Sequence, residues 1–351
     1  MNTFTYSFAA LSESTFWCVC VVWGGAYLQV GFGTYKLGAS SAMSATLAAL
    51  RSGYRMIDTA YIYAGEKCEP EVARALQEAL KDGTLSSRDE VFVTTKHWRK
   101  FHGFEASLSC LQKSLSRLKL EYVDLWLMHW PGPAWTTMNR RNDEIAAHGA
   151  WHYAAEGHGK EDIAALRAET WRAMEDAQRR GLTRAIGVSN FTIAHLETLK
   201  RTATVWPPAV NQVEMHPLYP QEELRAYCAK EGIVLQAYAS LGGQDGSKAK
   251  WSALGGRLLE SPPVLAACAA HANADATPAQ VLLRWALQRG AAVIPKTASA
   301  SRMAENAGCV TGGLHLSTDE VSAIDALAAN ADGHEGRLCW RTDPLRLLEF
   351  D

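Results

Sequence analysis

A single α/β domain of the (β/α)8 TIM-barrel type is the fold this sequence predicts, on three observations. Eight short apolar runs recur along the chain without strict polar alternation, as expected of parallel strands buried on both faces. Helical apolar periodicities lie between them, and right-handed strand–helix crossovers of that kind close into a barrel. The length, 351 residues, is ordinary for one α/β barrel. The runner-up is an open doubly wound sheet, which announces itself with a glycine-rich loop after its first strand. Gly31-Phe32-Gly33 lacks the third glycine at the required spacing.

Composition narrows the function classes. With 48% hydrophobic and 21% charged residues the chain is expected to be globular with a sizeable core. A net charge of −2 offers no basic field for nucleic acid, so small diffusible molecules are the expected partners. The eight cysteines form no CxxC pair, and only Cys18 and Cys20 lie close together. Reduced, packed thiols in a cytoplasmic protein are the expectation, rather than a disulfide framework. Cys18 and Cys20 point the same way from one strand, which favours packing at the barrel floor.

In chain order, residues 1–12 are expected to form a disordered leader, followed by one domain over 13–351. The stretch FWCVCVVWGGAYLQVGFG is apolar enough to raise a signal peptide or a membrane span. The first basic residue is Lys36, so no basic n-region precedes it, and Gly24-Gly25 interrupts it as a turn would. Two short strands joined as an N-terminal β-hairpin are expected there. The eight barrel strands are then VGFGTY (30–35), RMIDTA (55–60), EVFVTTK (90–96), VDLWLMH (123–129), TRAIGVSN (183–190), AVNQVEM (209–215), IVLQAYA (233–239) and AAVIPKT (291–297). Met43, Leu47 and Leu50 fall on one helix face, as do Leu108, Leu111, Leu115 and Leu118. Thr277, Pro278 and Gln280 read as N-cap, N1 and N3 of a helix through Leu287. Ser317 with Glu320 opens an extra C-terminal helix outside the repeat. Long segments at 131–165, 241–262 and 332–351 exceed ordinary connections, and the first two follow strands and so belong to the catalytic face.

Polar residues collect where the strands end. Asp58 and Tyr63 follow the second, Lys96 ends the third and His129 the fourth; Ser189, Asn190, Gln212, Tyr238 and Lys296 occupy the later ones. In a barrel these converge on one mouth, where Lys96 can pair with a buried Asp58. A free tyrosine, with a pKa of about 10, is a poor acid near neutrality, and a nearby ammonium is expected to lower that value. His129 could steer a carbonyl oxygen toward Tyr63, which suits carbonyl reduction if something delivers hydride.

These residues sit in motifs that, from about residue 30 onward, resemble the aldo-keto reductase family. The motifs are GFGTYKL (31–37), GYRMIDTAYIYAGE (53–66), VFVTTKHW (91–98), VDLWLMHWP (123–131), GVSNF (187–191), NQVEMHP (211–217), AYASLG (237–242) and IPKTASASRMAEN (294–306). The resemblance implies a catalytic tetrad of Asp58, Tyr63, Lys96 and His129, and a nicotinamide cofactor bound over the barrel mouth without a Rossmann fold. It implies that Tyr238 stacks on the nicotinamide while Ser189, Asn190 and Gln212 hold its carboxamide, with Thr34, Asp58, Ser240 and Leu241 also lining the cofactor. Lys296, Thr297, Ser299, Arg302, Glu305 and Asn306 would hold the adenosine end. Two cations and two hydroxyls there favour a 2′-phosphate, hence NADPH, with NADH as the weaker alternative. Tyr35, Trp98, His129 and Trp130 would line the substrate pocket. The expected product is an NADPH-dependent oxidoreductase that reduces an aldehyde, sugar or other small carbonyl as a monomer.

The sequence departs from the family in places. Ala64-Gly65-Glu66 replaces the usual x-Asn-Glu, with about three residues inserted before Val72; Tyr35 stands where many relatives carry Trp; AYASLG replaces AYSPLG; and the segment between His129 and Trp171 is longer. His148, His152, Glu156 and His158 have a metal-like spacing, but a substrate loop is the preferred reading and no metal is expected. Trp135, Trp151 and Tyr153 are further pocket candidates. Two rival functions stay open: a non-catalytic NADPH-binding sensor or subunit on the same fold, and an aldolase-type barrel using Lys96 for a Schiff base.

Overall fold

The computed structural model describes residues 19–22, 25–133, 160–243, 256–330 and 336–339. Strands β1 (Val19–Val22) and β2 (Gly25–Leu28) pair antiparallel, with Val22 opposite Gly25. The eight apolar runs each contribute one strand to a second sheet: β3 (Phe32–Gly33), β4 (Met56–Asp58), β5 (Phe92–His97), β6 (Val123–Met128), β7 (Thr183–Ser189), β8 (Val210–Glu214), β9 (Val234–Tyr238) and β10 (Ala292–Val293). They lie side by side in chain order, and every pairing is parallel.

The sheet curls until its ends meet. Val30 bridges Val293, Gly31 N donates to Val293 O at 2.8 Å, and Val293 N donates to Gln29 O at 2.7 Å. That seam explains the first glycines. A Cβ on Gly33 would stand 2.6 Å from Ile294 O, so any side chain there would force the two strands apart.

Helices α1 (Ala39–Arg51), α2 (Cys68–Lys81), α3 (Phe104–Leu118), α4 (Lys160–Arg179), α5 (Ile193–Lys200), α6 (Glu222–Glu231), α7 (Pro262–Ala270), α8 (Pro278–Gln288), α9 (Ala300–Thr311) and α10 (Thr318–Asp325) follow or link the strands. The face of α3 carrying Leu108, Leu111, Leu115 and Leu118 is buried, as its periodicity predicts. On α1, Leu47 and Leu50 are buried and Met43 packs at the margin. Helix α8 starts where its capping signal lies: Gln280 N donates to Thr277 Oγ1 at 3.3 Å, and Thr277 N donates to Gln280 Oε1 at 3.0 Å. Ser317 and Glu320 form the same reciprocal cap on α10.

The core has two parts because strand side chains alternate between faces. Met56, Leu125, Leu127, Val210, Ala292 and Ile294, from alternate strands, fill the barrel interior. Outward neighbours such as Ile57, Val93, Trp126, Ile186 and Leu235 join the larger layer beneath the helices. Among the described residues Cys68, Cys110, Cys228, Cys268, Cys309 and Cys339 are free thiols, and no helix is long and apolar enough to cross a membrane. The expected leader, Cys18, Trp135, His148, Trp151, His152, Tyr153, Glu156, His158 and most of the three long segments lie outside the described residues.

Candidate active site

Two-residue periodicity builds the site. Along five of the barrel segments the inward side chains run from apolar at the floor to polar at the mouth: Met56 to Asp58, Phe92 through Thr94 to Lys96, Leu127 to His129, Val210 to Gln212, Ile294 to Lys296. Register completes the alignment, setting Asp58 opposite Thr94 and Lys96 opposite Leu127.

At the centre lies a buried ion pair. Lys96 Nζ donates to Asp58 Oδ1 at 2.6 Å, to Thr59 O at 2.9 Å and to Tyr63 Oη at 3.1 Å. Lys96 is 0% exposed and Asp58 1%. The second carboxylate oxygen accepts from Gln212 Nε2 at 2.7 Å, and Gln212 Nε2 also donates to Gln236 Oε1 at 2.7 Å. Thr34 Oγ1 and N both donate to Asp58 O. The charges are therefore paired, and the carboxylate's other oxygen is also hydrogen-bonded, as a buried ion pair requires.

Electrostatics corrects one expectation. Burial holds the Tyr63 phenol well above its ordinary 10.0, and the Asp58 carboxylate pushes the same way, so the value is raised rather than lowered. The sequence shows the ammonium but not the desolvation that outweighs it. Lys96 is itself brought below its ordinary 10.5, burial exceeding the upward pull of Asp58. His129 falls well below 6.5, first through burial and then through Lys96, Arg99 and His97, so it is a neutral imidazole. Its ring stands 5.8 Å from that of Tyr63, centroid to centroid, at 73°.

Tyr35, Trp98 and Trp130 frame these groups. Tyr35 lies 5.1 Å from the Tyr63 ring, Trp98 lies 5.7 Å from the His129 ring, and Trp130 stacks on His129 at 6.3 Å. Arg99 lies 5.2 Å over the Trp130 ring and donates to Gly132 O and Pro133 O, which pins the start of the long segment after β6.

The expected cofactor residues fall into two groups. Asn190, held at φ 63°, donates to His129 O at 3.0 Å and accepts from Tyr238 Oη at 2.8 Å, while Ser189 Oγ donates to Gln212 O at 2.7 Å. Ser240 donates to Ala237 O, and Leu241 is half-buried beside it. Across the mouth, Ser299 is the N-cap of α9 yet makes no side-chain cap, its Oγ turning instead to Ser301. The first-turn N–H groups of α9 therefore have no cap acceptor from Ser299. Thr297 Oγ1 accepts from Ser299 N at 3.1 Å, Lys296 is half-buried and lowered by burial and by Lys36, and Arg302 is exposed. Glu305 takes Gln280 Nε2 on its carbonyl, and Asn306 is buried. Donors, hydroxyls and cations at one helix start fit a phosphate-bearing ligand.

Gln236 was not singled out by sequence reading, although its inward register two residues before Tyr238 could have shown it. Thr59, whose carbonyl takes the third Lys96 hydrogen bond, carries no side-chain signal at all. Among the described residues no three His, Cys, Asp or Glu side chains group as metal ligands.

Four buried histidines make a prediction about acid. Burial depresses His97 to about 4, His195 to about 3, and His102 and His129 well below 6.5. The unfolded chain binds these protons near 6.5 and the folded chain does not, so stability must fall as pH drops below 6.5, levelling out at the folded values. Each histidine contributes up to about 1.4 kcal/mol per pH unit in that window. Urea midpoints measured from pH 7.5 to 4.5 are expected to fall steadily; a flat profile would contradict four neutral buried rings.

Comparison with known proteins decides the family. The Aldo/keto reductase family model matches residues 29–329. The chain belongs to the aldo/keto reductase family. Aldo-keto reductase family 1 member A1 of Pongo abelii is 36% identical over 316 residues, covering 89% of this chain and 90% of that protein. Glyoxal reductase of Bacillus subtilis (strain 168) is 35% identical over 298 residues, covering 85% and 87%. Among solved structures, an aldo/keto reductase from Brucella melitensis is similar with a TM-score of 0.68 and 32% identity over 87% of this chain and 96% of that one. MGS-M4, an aldo-keto reductase from a Medee basin deep-sea metagenome library, gives 0.69 and 32% over 88% and 94%. Aldo/keto reductases are oxidoreductases acting on carbonyls with nicotinamide cofactors, so the resemblance of the eight motifs holds at that level.

Proposed function

We propose that this protein reduces an aldehyde or ketone, such as an open-chain sugar or another small carbonyl, to the alcohol using NADPH, with Tyr63 as general acid. The observation that carries the reading is the buried chain from Asp58 through Lys96 Nζ to Tyr63 Oη, at 2.6 and 3.1 Å. Held over the barrel mouth, NADPH would supply the hydride that adds to the carbonyl carbon. Tyr63 gives its proton to the carbonyl oxygen as negative charge develops there, and is reprotonated from solvent. The Lys96 ammonium, already donating to Tyr63 Oη, stabilises the phenolate left behind, and Asp58 holds that ammonium in place. Neutral His129 offers a ring N–H to the same carbonyl oxygen and orients it. Tyr35, Trp98 and Trp130 would bind the rest of the substrate.

Ser189, Asn190, Gln212 and Tyr238 would hold the nicotinamide end. Lys296, Thr297, Ser299, Arg302, Glu305 and Asn306 would hold the adenosine end, and Thr34, Ser240 and Leu241 the span between. The pairing of two cations with an uncapped helix start supports NADPH over NADH. Arg302→Ala is then expected to weaken NADPH binding by about tenfold, the loss of one charge-assisted contact, and to leave NADH unchanged. Fluorescence titration with both cofactors checks it, and equal losses would remove the 2′-phosphate contact.

The Asp58 contact disfavours the Schiff-base reading, since a carboxylate at 2.6 Å keeps the amine protonated. A cytoplasmic, monomeric, single-domain enzyme over 13–351 completes the proposal. The test is loss of NADPH absorbance over a panel of aldehydes, sugars and ketones, run beside NADH. No turnover with any carbonyl, in a protein that still binds NADPH, would favour a sensor or subunit instead.

A further inference from the structure

The three residues after Tyr63 have an unusual backbone. Ala64, Gly65 and Glu66 all lie in the left-handed region, at φ 53°, 62° and 70°. Glycine adopts this freely, whereas alanine and glutamate meet steric resistance from Cβ. Such a run persists only where its surroundings over-determine it. Ala64 and Gly65 have no polar side chain, so Glu66 is the one side chain in the run able to hold it electrostatically.

Glu66 is held from two sides. Its Oε1 accepts from Lys100 Nζ at 2.9 Å and its Oε2 from Arg117 Nη2 at 2.5 Å. Both cations also lie on the Tyr61 ring, Arg117 at 4.3 Å and Lys100 at 5.3 Å, and Arg117 reaches the Tyr61 hydroxyl at 3.3 Å. Arg117 Nη1 lies 3.7 Å from the fully buried Glu69, whose Oε1 accepts from Thr95 Oγ1 at 2.7 Å, one residue before Lys96. Lys100 lies three residues beyond the end of β5, and Arg117 is in the last turn of α3. The carboxylate thus fastens the Tyr63 turn to the same β5–α3 unit that carries Lys96.

We infer that Glu66, clamped by Lys100 and Arg117, is a positioning residue that sets the approach of Tyr63 Oη to Lys96 Nζ. This rests on Tyr63 being the general acid. Burial raises the Glu66 carboxyl, but the hydrogen bonds and charges of Lys100 and Arg117 together outweigh it and hold the group below its ordinary value, so the clamp is charged near neutral pH. Glu66, Lys100 and Arg117 do not touch the reacting atoms, and their effect passes through the turn. A displacement of that turn by a fraction of an ångström lengthens the contact on which proton transfer depends.

Two variants and two readouts test it. Glu66→Gln removes the charge and keeps the shape. Glu66→Gly removes the charge and the steric resistance together, so it should fold at least as well as Glu66→Gln. Both are expected to lower kcat by about tenfold, with the carbonyl KM and the NADPH Kd nearly unchanged. Amide exchange at Gly65 and Glu66, whose N–H groups donate to Ile62 O at 3.1 and 3.4 Å, should quicken by a similar factor in Glu66→Gln. A merely structural role would instead move kcat with the folded fraction and spare it in Glu66→Gly. Parental kcat in both variants of an active enzyme overturns the clamp. Absence of turnover in the parent overturns the proposed function instead, and amide exchange then decides whether the clamp holds the turn.

Discussion

Tyr63→Phe is expected to remove carbonyl reduction by about 10²- to 10⁴-fold, the range for losing a positioned acid, or about 3–5 kcal/mol of barrier. The change deletes one oxygen and keeps the ring, which packs against Tyr35 at 5.1 Å and His129 at 5.8 Å. The pocket wall therefore survives. Lys96 loses its contact at 3.1 Å but keeps Asp58 at 2.6 Å and the Thr59 carbonyl at 2.9 Å, so the ammonium is not stranded. Folding should shift little. NADPH binding should stay close to that of the parent, because the lost hydroxyl hydrogen-bonds Lys96. Single-turnover kinetics and a cofactor titration separate these outcomes. Turnover at the parental rate would leave the proton to some other donor, and neutral His129 would be the first to examine.

The raised phenol value matters to this expectation. At neutral pH Tyr63 keeps its proton, so the acid is a neutral phenol ready to donate without a separate protonation step. The proton becomes transferable only as the carbonyl oxygen gains charge, with the ammonium 3.1 Å away to receive the phenolate. Reduction should consequently show no loss of Tyr63's proton between pH 6 and 9, whereas a lowered value would have cut the rate within that range.

What the sequence made legible and what it hid have physical reasons. The barrel strands were legible because burial on both faces writes an apolar run that no loop would tolerate. Their lengths were not: β3 and β10 hold two residues each, since the seam needs glycine and a proline follows close behind. Helix α8 was legible to the residue at its start because Thr277, Pro278 and Gln280 encode a cap locally. The Asp58–Lys96 pair was legible from the cost of a lone buried carboxylate. Tyr63's electrostatics were hidden because desolvation is a property of the assembled mouth. Gln236 was hidden because a glutamine inside an apolar strand gives no cue to its partner. The clamp on Glu66 was hidden because it joins residues 34 and 51 positions apart, and the departure from the usual motif marked the spot without naming the partners.

Asp58→Asn is the change expected to hurt stability most. The substitution is nearly isosteric but leaves the Lys96 ammonium, 0% exposed, without a counter-charge. Breaking a buried pair in this way costs about 3–5 kcal/mol. The amide makes matters worse, because its two faces differ: Lys96 Nζ donates to Oδ1 and Gln212 Nε2 donates to Oδ2. Whichever way the asparagine turns, its NH2 meets a donor. Lys96, already lowered by burial, loses the upward pull of Asp58 and moves further down. The sign follows from linkage. The variant's folded chain holds that proton less tightly than its unfolded chain, so its stability rises as pH rises toward 10.5. The deficit against the parent should thus be widest near neutrality and narrow in alkali. Adding Lys96→Met removes the stranded charge and should recover much of the stability while activity stays lost, since the phenolate then has no cation. Urea midpoints of the parent, single and double variants at pH 7 and pH 9.5 test the set. A single variant as stable as the parent at pH 7, or a double variant worse than the single, would mean that the pair is not the buried charge couple drawn here.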